Sequence, residues 1–152
     1  MDKITKDFIR THNFESDGIN FPDEDKNFRP RRGMKLPPSE EENFATLKIK
    51  LIELFDKHYE NFAQLESRCD INESTMRKYL NGRRKITRVA LAKFCVGTKL
   101  TVEQSNELFI LQGHSLETDT NRLDALVVNA LQEGDDINIF YDTCQEYEIN
   151  IF

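Results

Sequence analysis

From Phe44 onward, apolar residues return every three or four positions, with short polar breaks between the runs. This is the period of helices that bury one face. Phe44, Leu47, Leu51, Leu54 and Phe55, with His58 next on the same face, predict one long helix. Ser39 and Glu42 form a capping box at its start, directly after Pro37 and Pro38. Phe62, Leu65 and Cys69 predict a short helix that stops at Asp70, and Ile71 follows as one buried apolar residue. Asn72 then offers an N-cap for a second short helix carrying Met76, Tyr79 and Leu80. Thr87 caps a helix through Val89, Leu91, Ala92, Phe94 and Cys95, and Thr101 caps the next, which holds Leu108 to Leu111. Leu123, Leu126, Val127, Ala130 and Leu131 form one further stripe, and Ile137, Phe140, Tyr141 and Cys144 another, as expected of an antiparallel helical hairpin. Gly82, Gly97, Gly113 and Gly134 each follow an apolar helical pattern, where a helix C-terminus takes a residue tolerant of positive φ. No strand pattern competes, although Glu148 to Phe152 can extend. The fold class predicted is all-α.

The first 38 residues differ. Met1 to Pro38 holds all four prolines and no long helical period, so it reads as an extended or partly disordered leader. Phe8, Phe14, Phe21 and Phe28 recur along it, a spacing suited to lying in a groove of this chain or of a partner. Its end, Arg29 to Lys35, is a basic stretch of a kind that either enters a minor groove of DNA or stays a solvated linker.

Composition adds limits. A chain of 152 residues suits one domain with an appendage, and no apolar run approaches the roughly 18 residues needed to span a membrane. The start carries no secretory leader pattern, so a cytoplasmic location is expected. Cys69, Cys95 and Cys144 are far apart and fall on apolar stripes, as buried thiols in a reducing compartment would. His12, His58 and His114 are equally scattered, so neither a metal site nor a cofactor is expected. Without a Gly-rich phosphate loop, a nucleophile elbow or an HExxH helix, an enzyme is not expected either.

Net charge is −6, but it is unevenly spread. Residues 1–60 carry 11 Lys/Arg and 13 Asp/Glu, residues 61–99 carry 9 and 3, and residues 100–152 carry 1 and 11, giving −2, +6 and −10. The basic excess coincides with the two short helices, and such asymmetry concerns partner chemistry more than the total does.

Those helices organise the reading. Leu65 in the first, Ile71 in the turn, Met76 and Tyr79-Leu80 in the second, and the closing run Tyr79-Leu80-Asn81-Gly82-Arg83-Arg84 resemble the helix-turn-helix of the Cro and lambda-repressor (XRE-like) family of transcriptional regulators. The resemblance covers Ser39 to Gln112. Phe62 stands where the family has a phosphate-contacting Gln, Glu66 where it has a small residue, and Asp70 where it has the turn Gly. Asp70 tolerates the left-handed conformation, whereas Glu66 implies either a wider helix crossing or a side chain that escapes to solvent.

The resemblance implies a five-helix DNA-binding domain over 39–113, following the leader (1–38) and followed by an acidic helical hairpin (114–152). It implies a repressor reading a palindromic operator in double-stranded DNA as a homodimer. Asn72, Ser74, Thr75, Arg77, Lys78 and Asn81 are the base-reading candidates, with Glu73 placed at the positive end of the helix. Arg83, Arg84, Lys85 and Arg88 are the phosphate candidates, and four neutralised phosphates would give a log-log salt slope of about −3.6 per subunit. The hairpin serves dimerisation or a protein partner, or it completes the core. The alternative function is an antitoxin-like or other interaction module whose leader or acidic hairpin binds a protein.

Overall fold

The computed structural model describes residues 2–18 and 38–151, which form eight α-helices and no strand. They are α1 (Lys6–Thr11), α2 (Pro38–His58), α3 (Phe62–Cys69), α4 (Glu73–Leu80), α5 (Arg88–Thr98), α6 (Val102–Gln112), α7 (Arg122–Glu133) and α8 (Ile137–Glu146). Short polar side chains set where α3 to α8 begin: Asn61, Asn72, Thr87, Thr101, Asn121 and Asp136 all accept from a backbone N–H of the first turn, whereas α2 already begins at Pro38, one residue ahead of the expected Ser39 cap. At α6 the bond is reciprocated by Gln104, completing a capping box. The all-α expectation holds among the described residues, and none of their helices is long and apolar enough to cross a membrane.

Helix α5 is the central element. Only Val89, Ala90 and Lys93 escape full burial along it, and it packs against α3, α6, α7 and α8. Helix α2 packs against α4 and α6, and its Leu47 and Leu51 are buried. The two C-terminal stripes are spent inside the same hydrophobic cluster: Leu123, Leu126, Val127 and Ala130 of α7 and Ile137, Phe140, Tyr141 and Cys144 of α8 are all buried. The apolar faces of the hairpin therefore complete the core.

Besides Gly113, which ends α6 at an extended φ of −176° and not in the left-handed region, two expectations change. Part of the leader is helical: α1 is capped by Thr5, and Ile4 and Ile9 are buried. The Ile4 N–H donates to Gln132 Oε1 and its carbonyl accepts from Asn129 Nδ2, which ties the segment to α7, and a single bridge joins Ser16 to Asn121. Phe8 and Phe14 pack around His12, whereas Phe21, Phe28 and the basic stretch Arg29 to Lys35 lie outside the described residues. Second, Gly97 does not end its helix, because α5 continues to Thr98 and Lys99 takes the left-handed cap at φ 58°. Gly97 instead lets the end of α3 approach: a Cβ there would stand 2.4 Å from the carbonyl oxygen of Arg68.

Candidate nucleic-acid interface

Helix α3 ends because Asp70 turns the chain left-handed (φ 55°, ψ 43°) while its N–H still bonds Glu66 O at 2.9 Å. Ile71 is driven into the core, and Asn72 Oδ1 accepts from Thr75 N at 2.8 Å to start α4. A buried apolar residue between two caps fixes how the helices meet. Met76 and Tyr79 point inward, and Glu73, Ser74 and Arg77 are exposed on the opposite side. Of the two alternatives for Glu66, its side chain is the one that reaches solvent.

The turn is also held from behind. Tyr141 of α8 donates its hydroxyl to Asp70 Oδ2, and Lys93 Nζ lies 3.8 Å from the same oxygen. Burial, and then the bond to Asp70, push the Tyr141 hydroxyl above its ordinary range, so it stays a neutral donor. Tyr141→Phe keeps the packing and removes the donor. It is expected to cost about 1 kcal/mol, since half-exposed Asp70 regains water. Urea unfolding would measure that loss, and an unchanged midpoint would mean that the bond does not hold the turn.

Arg77 is already engaged. Its Nε donates to Glu73 Oε2 at 2.9 Å, and its guanidinium carbon lies 4.4 Å from the ring centre of Phe62, which itself rests on Phe55 at 4.7 Å. Asn72 and Asn81 both use their carbonyl oxygens on local backbone, the latter accepting from Arg83 N at 3.0 Å. Ser74 donates to Asn72 Oδ1, and Thr75 and Lys78 are half-buried. Beyond α4, Arg83 is exposed, Lys85 is half-buried, and Arg84 leans toward the Tyr79 hydroxyl.

Arg88 departs from the phosphate set. It is 1 % exposed and ion-paired to Asp124 of α7 at 2.7 Å, with its remaining donors on the carbonyls of His114 and Ser115. It forms part of the core and does not face solvent, because Asp124 waits for it inside the fold.

Sequence reasoning did not find the Phe62 stack, the Glu73 buttress or the Tyr141 bond. It also did not find an open groove of about 800 Å³ along α3, where Lys57 and Arg68 flank Gln64 and Ser67. The substitution at Phe62 itself was the available signal for the first. Burial first, and then Lys57 and Arg68, lower the pKa of His58 at this groove from its ordinary value. The cysteines are free and buried, with burial pushing Cys95 and Cys144 up to about 12. No group of three metal-binding side chains occurs among the described residues.

No protein-family model, curated protein or solved structure matches this chain significantly.

Proposed function

We propose that this chain is a sequence-specific DNA-binding transcriptional regulator, a cytoplasmic repressor that inserts α4 into the major groove of a palindromic operator as a homodimer. The observation that carries the reading is the division of α4: Met76 and Tyr79 anchor it, while Ser74, Arg77 and Asn81 stand exposed on the most basic segment of the chain. A short helix anchored this way presents few side chains to base edges, where arginine and asparagine make the discriminating bonds. Arg83, Arg84 and Lys85 follow directly and suit the phosphates, and Lys57 and Arg68 extend that charge along α3. Neither catalysis nor a cofactor enters this function.

Without Arg88, three of the four phosphate candidates beyond α4 remain, and these alone should give a salt slope of about −2.7 per subunit. Fluorescence anisotropy with a randomised duplex pool across a salt series measures it, with Arg77→Ala/Lys78→Ala alongside. Enrichment of a palindrome that the double variant no longer selects is the expected result. Absence of binding at low salt would reject the proposal.

A second reading, an antitoxin-like protein-interaction module, is favoured by Ile49 and Ile52 on α2, Ile110 on α6 and Ile139 on acidic α8, all of them exposed. The same apolar side chains offer a homodimer its contact surface.

A further inference from the structure

We infer that Arg77 reads a guanine, and that Phe62 and Glu73 are positioning residues that hold its guanidinium for that purpose; the inference rests on the DNA-binding reading above. Three observations combine. Glu73 takes the Nε–H of Arg77 at 2.9 Å, one helical turn away. The Phe62 ring sits 4.4 Å from the guanidinium carbon, and Phe55 backs that ring in turn. The terminal Nη1 and Nη2 groups make no hydrogen bond among the described residues.

The arrangement has a chemical consequence. An arginine on an exposed helix face normally samples many rotamers and loses that freedom on binding. Here an acceptor and an aromatic face limit it beforehand, and the donors left over are those of the terminal fork. A fork of two donors fits two adjacent acceptors. In the major groove only guanine offers these, as O6 and N7; adenine sets an amino donor beside N7, and cytosine and thymine present one donor or one acceptor. The aromatic residue at position 62 thus has a use where the resembled family carries an amide: it forms one wall of a cradle for a base-reading side chain. Glu73 forms the other wall, and its negative charge near DNA costs general affinity while it improves discrimination.

This gives a signature that loss of fold does not mimic. Phe62→Leu keeps an apolar side chain on Phe55 but removes the ring under Arg77, and Phe62→Tyr keeps the ring. Glu73→Gln leaves an exposed helix position intact and removes the charge. Selection of the full chain from a randomised duplex pool should give a G·C pair at one position of each half-site. Phe62→Leu and Glu73→Gln are each expected to reduce that preference about tenfold and to spare the other positions, with Phe62→Tyr close to wild type. Glu73→Gln should at the same time bind random DNA more tightly. Retention of the full guanine preference in both Phe62→Leu and Glu73→Gln overturns the inference and leaves DNA binding standing, whereas a wild-type chain that selects no sequence fails the functional reading itself. A readout without DNA accompanies this. The Arg77 Nε–H signal in a nitrogen-15 spectrum of the free protein should be protected from solvent exchange in wild type and exchange faster in Glu73→Gln, whose neutral amide oxygen is the weaker acceptor, and an unprotected wild-type signal also overturns the cradle.

Discussion

Arg88→Ala is expected to destabilise the fold by about 3–5 kcal/mol, the cost of breaking a buried ion pair by removing one partner. The guanidinium joins three parts of the chain that are distant in sequence. Its Nε and Nη2 reach Asp124 at 3.3 and 2.7 Å, Nη1 donates to His114 O at 2.9 Å, and Nη2 also donates to Ser115 O at 3.1 Å. Its flat face lies 4.8 Å from the ring centre of Phe109. Alanine would leave the Asp124 carboxylate buried with the Glu117 N–H at 2.8 Å as its remaining donor among the described residues, and would take the guanidinium donor from the His114 carbonyl as well. For a chain of this length the midpoint of thermal unfolding should fall by about 10 °C or more. Arg88→Lys should recover only part of that, because an ammonium cannot span both carboxylate oxygens and the two carbonyls. Circular dichroism melting is the measurement, with Arg83→Ala as the contrast: that variant should leave the melt unchanged and lower the salt slope of DNA binding by about 1. An Arg88→Ala protein melting with wild type would mean that the pair is not closed in solution.

Arg88 also shows where the sequence stops being legible. Caps and apolar periods are local, so α2 and α3 could be placed from their own apolar stripes, and α4 to α8 from Asn72, Thr87, Thr101 and the stripes that follow. In the run Arg83 to Arg88, however, charge alone does not reveal which arginine turns inward. The answer lies in Asp124, a carboxylate beside the Leu123 and Leu126 stripe, 36 positions away. Helix α1 was missed for a different reason: at six residues it is too short to show a period, and it gains its stability from Ile4 and Ile9 against α7 and from the Thr5 cap. Within the candidate interface, the bend at Asp70 and the division of α4 into inner and outer faces follow from residue type. The engagement of Arg77 by Phe62 does not, since the two residues come from different helices and meet only once the turn has been made.

Gly97→Ala is the second large effect, and its sign is opposite to that of an ordinary helical glycine. Inside a helix, alanine is favoured over glycine by about 1 kcal/mol, so at an open site the substitution would stabilise. Gly97 lies within α5, and its new Cβ would stand 2.4 Å from the Arg68 carbonyl oxygen and 2.6 Å from Cys69 Sγ. Backbone cannot yield as a flexible side chain can, so α3 must move off α5, at a net cost of about 2–3 kcal/mol. Cys69 is further fixed by the Tyr59 hydroxyl at 3.1 Å, which also bonds Thr98 Oγ1 at 2.7 Å, so the displacement disturbs a buried polar group as well. Arg68 and Cys69 form the last turn of α3, immediately before Asp70, and a shift there tilts the turn that aims α4. Chemical denaturation should therefore show the loss, and operator binding by the protein that remains folded should weaken too. Gly134→Ala provides the comparison: Gly134 has φ 69° with nothing within 4 Å of the added Cβ, so only the left-handed strain of about 1 kcal/mol should appear. If Gly97→Ala were as stable as wild type, α3 and α5 would not be packed as closely as the Arg68 contact requires, and the geometry presented by α4 would have to be set from the α2 side instead.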